Sequence, residues 1–316
     1  MKNNSKKVTL LFVIATLLIL VVSLSSCSNK DVAWQTNFDD AKTEAQKTDK
    51  SILTVFTGLA WDNKSADLKD KIFDDKSFMK KASKDFVLLT INIDQNDTTV
   101  DQDTALQNYI LAVKMGIEST PAIILLTAQG VPFVQLNPGE FTDKPEDMLA
   151  LIDTQQKTID KFKSLEKTIA NSEAMNKVTA IDTMYTELPV QYHLMMEPII
   201  REIPELDPQN QSGLLGKYKL QLAYSDSQTY LEKQDVDGAL ACFTDLAKED
   251  GLLSAEQTQE VFYTTAYYAA QCGKPNGVVI DYLQKSYDAA PESANADKLL
   301  ESIEQLSIAN KAGSKE

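Results

Sequence analysis

The stretch Ser51 to Phe73, SILTVFTGLAWDNKSADLKDKIF, decides how this chain is read. It opens on an apolar run, Ile52-Leu53-Thr54-Val55-Phe56, rich in β-branched and aromatic side chains, which reads as a buried strand. Gly58 breaks the run and Trp61 follows. From Asp62 onward the apolar residues fall at Leu68, Ile72 and Phe73, the spacing of one helix face. The layout is strand, tight loop, helix, with Asp62 where the helix should begin. There its carboxylate either caps the helix, accepting from the backbone N–H of Lys64 or Ser65 for about 1 kcal/mol, or is held for a ligand.

The stretch resembles the active-site strand and helix of the thioredoxin superfamily, in the variant F-T-G-x-x-W-C-x-x-C-x-x-L followed three residues on by V/I-F. Phe56, Thr57, Gly58, Trp61, Leu68, Ile72 and Phe73 match in register, while the two cysteine positions hold Asp62 and Ser65. Disulfide exchange needs an attacking thiolate and a second thiol to resolve the mixed disulfide. Neither residue has sulfur. The acid that thioredoxins often carry just before the Phe is Val55 here. The resemblance implies a thioredoxin frame without its redox chemistry.

Working outward, Ala33 to Asp49 carries Trp34, Phe38, Ala41 and Ala45 at helical spacing, and Phe86 to Ile93 reads as a second central strand. Asp94-Gln95-Asn96-Asp97 ends that strand. These acids, with Asp101 and Asp103, lack the glycine and distal glutamate of an EF-hand loop, so the expectation is a solvated loop with a helix cap at Asp103. Thr104 to Met115 reads as a helix with Leu106, Tyr109, Ile110 and Val113 facing inward and Gly116 as its C-cap. Ile117 to Leu126 contains Thr120-Pro121, which resembles the second thioredoxin signature and so implies a cis peptide opening the next strand. Gln129-Gly130 turns into Val131 to Leu136 as an antiparallel hairpin. Pro138-Gly139 closes the sheet, and Asp143 is expected to cap a last helix entered at Pro145. The order β-α-β-α-β-β-α gives an α/β thioredoxin fold, a central mixed sheet flanked by helices, for residues 28–154.

From residue 155 no strand pattern survives, and residues 155–316 read as an all-α, repeat-like domain. The helix from Pro145 is expected to run on through Ile159, Phe162, Leu165 and Ile169. Helical candidates at Thr179–Pro189, Leu194–Ile203 and Gly213–Leu231 are broken by Pro189, Pro198, Pro204 and Pro208. Two later segments resemble tetratricopeptide repeats: Ala223, Tyr230, Ala239-Leu240, Phe243 and Leu246, then Phe262, Ala266, Ala269, Gly273, Val278, Tyr282 and Pro291. Their offset exceeds the usual repeat of about 34 residues, which implies an insertion near Gly251. The tyrosines of this half serve the core, with an exposed subset open as a partner groove.

The first 27 residues read as an export segment, kept out of the fold. Lys2, Lys6 and Lys7 precede an apolar run, Val8 to Val22, and Leu24-Ser25-Ser26-Cys27 looks like a bacterial lipobox with Cys27 as the lipidated mature N-terminus. A plain membrane anchor or an uncleaved signal is the alternative. Ser28 is not the aspartate of an inner-membrane retention signal, so the expected location is the outer membrane, facing the periplasm.

The chain has 316 residues and a net charge of −15, which argues against nucleic acid and against electrostatic docking on anionic lipid. No cofactor is expected. His193, the sole histidine, precedes Met195 and Met196 and raises a copper reading. Two neighbouring thioethers do not define a site, and Met also fills core gaps. Two functions of different class follow. One is a lipid-tethered, redox-inactive module holding a polypeptide partner through Trp61, Asp62, Ser119, Thr120 and Pro121. The other is a thiol-disulfide accessory whose chemistry has moved to Cys242 and Cys272, which otherwise form a structural disulfide or stay as buried thiols.

Overall fold

β1, Ser51–Thr57, is buried at every residue. Its β-branched and aromatic content suits a strand covered on both faces. A computed structural model describes residues 32–94 and 100–313, the side chains of 311–313 excepted. The expected export segment with Cys27, and Gln95, Asn96 and Asp97 of the acidic loop, lie outside the described residues. β1 pairs in parallel with β2, Phe86–Asn92, and antiparallel with β3, Ala122–Leu126. β4, Pro132–Gln135, pairs antiparallel with β3, so the sheet order is β2-β1-β3-β4. The Thr120-Pro121 peptide that opens β3 is cis.

Helices cover both faces. α1, Phe38–Thr48, starts later than the periodicity of Ala33 to Asp49 suggests. Asn37 accepts from the Asp40 N–H and sets the first turn there, leaving Trp34 outside the helix. After the Gly58 turn come α2, Asn63–Leu68, a π-helical turn, Lys69–Phe73, and α3, Lys76–Ala82. The helix α3 is not among the sequence expectations. Its signal is Asp75, whose side chain accepts from the Phe78 N–H.

α4, Gln102–Lys114, corrects two expectations. Its cap is Asp101, which accepts from the Thr104 N–H, not Asp103. Its buried residues are Ala105, Asn108, Leu111 and Ala112, whereas Leu106, Tyr109, Ile110 and Val113 face solvent. The helix carries two apolar stripes. The one with alanines lets the helix axis come close to the sheet, and Asn108 is satisfied there by donating to the Asn92 carbonyl. Ala112 and Met115 of this stripe share a core with Ala41, Phe56, Ile91 and Ile124. Gly116, at φ +66, closes the helix in a Schellman arrangement, with Ile117 N–H on the Ala112 carbonyl and Gly116 N–H on the Val113 carbonyl.

α5, Pro145–Asp153, packs with α3. Lys144, not Asp143, occupies its cap position, and no side chain caps it; Pro145 opens the first turn, where its missing N–H is not needed. The expected continuous rod is broken at Thr154-Gln155, and α6, Gln156–Asn171, turns back onto the β3–β4 hairpin. There Phe162 stacks on Phe133 with ring centroids 4.8 Å apart.

The remainder is helical. α7, Ala174–Glu187, leads into a 3₁₀ segment, Val190–Met196, then α8, Glu197–Ile200, and α9, Ile203–Leu206. Pro198 and Pro204 stand in the first turns of α8 and α9, so they open helices rather than break them. α10 (Leu215–Glu232), α11 (Val236–Leu246), α12 (Ala255–Gln271), α13 (Asn276–Ala289) and α14 (Ala296–Gly313) pack as neighbours in chain order. Gly251 and Gly273 turn the chain at φ +71 and +72 on either side of α12. From Gln35 onward the described residues form one compact unit. Among the described residues no helix is long and apolar enough to cross a membrane.

Candidate functional site

Three segments meet at the C-terminal end of β1: the Gly58–Asp62 turn, the start of α2, and the Ser119–Pro121 loop. The turn is tied by the Gly58 carbonyl, which accepts from the N–H groups of Trp61 and Asp62. A Cβ at Gly58 would fall inside the Trp61 indole, so only glycine lets that ring lie across the turn. Trp61 is nevertheless 60 % exposed, because the other face of its ring is open. The Leu59 N–H donates to the Asn92 side chain at 3.1 Å and fastens the turn to the end of β2.

Asp62 and Ser65, at the two positions where the resembled family carries thiols, bond to each other. Ser65 is fully buried, and its hydroxyl donates to Asp62 Oδ2 at 2.6 Å while accepting from the Gly58 N–H at 3.2 Å. The same carboxylate accepts from the backbone N–H groups of Lys64 and Ser65, at 3.1 and 3.2 Å, and so caps α2. The Thr120 hydroxyl also donates to Oδ2, at 3.0 Å. Burial pushes the Asp62 carboxyl up. The hydrogen bonds from Ser65, Thr120 and the two amides outweigh that and hold it below the usual carboxylate range. The carboxylate thus clamps turn, helix and proline loop together, and its oxygens are committed to four donors. What stays open is the Trp61 ring and the main chain of Ser119 and Thr120. No backbone hydrogen bond among the described residues engages that main chain. Pro121 is buried behind them.

The sequence reading placed candidates at Trp61, Asp62, Ser119, Thr120 and Pro121 but did not foresee the Asp62–Ser65 and Asp62–Thr120 bonds. The D-x-x-S spacing is the signal that suggests the first; the second spans 58 positions and has none. It also missed Glu166 on α6. That carboxylate accepts from the Ala128 and Gln129 N–H groups at 3.2 and 3.1 Å, tying the helical half to the β3–β4 turn. Burial pushes it up against those bonds.

The other candidates lie elsewhere. His193 stacks on Tyr185, centroids 3.9 Å apart, with Nε2 3.3 Å from the Leu188 carbonyl oxygen. Met196 is buried, and Met195 packs against the core of the sheet. Cys242 and Cys272 are unpaired, half-buried thiols, and burial pushes the Cys242 thiol up, away from a thiolate. A cleft lined by Lys81, Asp85, Glu146 and Asp153 sits beside the start of β2, at the opposite end of the sheet from the Trp61 turn.

Residues 38–156 match the family described as "Thioredoxin-like domain", and residues 214–312 match one described as "Uncharacterised protein C-terminal domain". An uncharacterized protein of Treponema pallidum (strain Nichols) is 25% identical over 227 residues, covering 72% of this chain and 75% of its own length. Among solved structures, a DsbH oxidoreductase aligns at 18% identity with a TM-score of 0.31, over 37% of this chain and 83% of that one.

Proposed function

We propose that this chain, whose residues 38–156 form a thioredoxin-like domain, holds an extended polypeptide at the Trp61 turn and carries out no thiol chemistry there. The observation that carries the reading is the open surface beside the Asp62 clamp. Trp61 is exposed, and its chain neighbour Asp62 bonds the Thr120 side chain at 3.0 Å, which holds the Ser119-Thr120 segment to the Trp61 turn. A strand laid along Ser119-Thr120 would be held by main-chain hydrogen bonds, with the indole covering one of its side chains. Neither contact requires sulfur. The helical half, with its repeat-like packing and exposed Tyr263 and Tyr267, supplies a second contact surface. In this reading Cys27 carries lipid and tethers the protein to the outer membrane on the periplasmic side.

The test is to capture the bound polypeptide by crosslinking on intact cells and measure its affinity for variants of the full chain. Trp61→Ala is expected to weaken binding about tenfold or more without unfolding the protein. A control on the far end of the sheet, Glu146→Ala, should leave it unchanged. Binding that ignores Trp61→Ala and Thr120→Pro but follows Tyr263→Ala and Tyr267→Ala would make the thioredoxin-like domain a spacer. For the tether, Cys27→Ala should abolish lipid labelling; labelling that persists would refute it.

A further inference from the structure

We propose that the outer face of α4 is a self-association surface on which a second copy of this chain docks antiparallel. The starting observation is the stripe that the sheet leaves uncovered: Leu106 at 55%, Tyr109 at 42%, Ile110 at 43% and Val113 at 61% exposure. Their spacing, i, i+3, i+4 and i+7, is that of a helix face made to pack against another helix. The neighbouring 3₁₀ segment, which packs against α4, also carries exposed apolar residues, Val190 at 79% and Leu194 at 66%. Exposed apolar residues scattered singly are ordinary on a protein surface, whereas these four on α4, Leu106, Tyr109, Ile110 and Val113, share one helix face.

Two features of the stripe select its occupant. First, the pattern Leu-x-x-Tyr-Ile-x-x-Val is symmetric about the 109–110 bond. A two-fold axis through that point sets Leu106 against Val113 of the second copy and Tyr109 against its Ile110. This is the self-complementarity that an isologous contact needs. Second, the charges at the helix ends oppose each other. Asp101 and Asp103 stand at the N-terminus and Lys114 in the last turn. Antiparallel packing brings each Lys114 toward the acidic end of the other helix and aligns the two macrodipoles favourably. Lys114 also acts on Glu197 of its own chain, and Glu118 lies past the Gly116 turn. The stripe is small beside the roughly 800 Å² that each partner contributes to a standard interface.

The experiment uses the full chain in membranes, with Cys242→Ser and Cys272→Ser as background. Ile110→Cys sits next to the two-fold axis and should give a disulfide-linked dimer on mild oxidation. Ser164→Cys, on the exposed side of α6, should stay at background. Adding Leu106→Lys and Val113→Lys to Ile110→Cys should cut the dimer yield about tenfold or more. These positions face solvent, so a thermal melt of each variant should be unchanged. Lys114→Asp should lower the yield, and Asp103→Lys in the same chain should restore it. The proposal is overturned if Ile110→Cys gives no more dimer than background, if the lysine pair leaves the yield unchanged, or if the charge exchange fails to rescue. It is equally overturned if Ile110→Cys links instead to a different polypeptide, because the face then belongs to another partner.

Discussion

Replacing Asp62 by alanine removes four hydrogen bonds at once, and they are not equivalent. The cap to Lys64 and Ser65 is worth about 1 kcal/mol. The Thr120 hydroxyl is half-exposed, so water takes over and its loss costs only about 0.5 kcal/mol. The Ser65 hydroxyl is different. It is fully buried and already accepts from Gly58, so without Asp62 its proton has no acceptor, at about 1–3 kcal/mol. The expected destabilisation is about 2.5–4.5 kcal/mol, read as a lower urea midpoint at unchanged slope. Asp62→Asn keeps one accepting oxygen for the cap but cannot serve all three donors now on Oδ2, and should fall between wild type and Asp62→Ala. The pH dependence checks the cause. The folded carboxyl lies below its ordinary value of 3.8, so its contribution is complete above that value and is lost as pH falls through the lower folded one. Asp62→Asn should flatten that acid limb. A loss under about 1 kcal/mol for Asp62→Ala, or an acid limb unchanged in Asp62→Asn, would refute the clamp.

Three further outcomes are expected. The Thr54 hydroxyl is fully buried on β1 with no hydrogen-bond partner among the described residues, so Thr54→Val should raise stability by about 1 kcal/mol, seen as a higher melting temperature; a lower one would show an unseen partner. Glu166→Ala leaves the Ala128 and Gln129 amides without their acceptor and should cost about 1–2 kcal/mol. Because the folded Glu166 carboxyl is raised above 4.5, the wild-type advantage should be full below that pH and shrink as pH rises through the folded value, so urea titrations at pH 4 and 7 that show the reverse order would contradict it. In an insulin-reduction assay with dithiothreitol, the protein should match an enzyme-free control, and turnover that survives Cys242→Ser with Cys272→Ser would overturn the reading of the Asp62–Ser65 turn.

The sequence by itself determined the thioredoxin-like half in outline. A buried strand must be apolar and β-branched, a turn against an indole must be glycine, and a helix start must carry an acceptor. Those demands are local, and Ile52 to Phe56, Gly58 and Asp62 state them within a few positions. The helical character of the second half was legible for the same reason. Side-chain orientation on α4 was not, because two apolar stripes on one helix satisfy the same periodicity. The sheet chose the stripe whose alanines let the backbones approach and left Leu106, Tyr109, Ile110 and Val113 outside. Caps at Asp101 and Asp75 were decided by one or two positions of chain direction that periodicity does not resolve. Only tertiary structure closed the contacts between distant residues: Thr120 on Asp62 across the site, Glu166 on the β3–β4 turn, and Phe162 on Phe133. Each depends on how two elements are placed in space, and no spacing along a single chain encodes that distance.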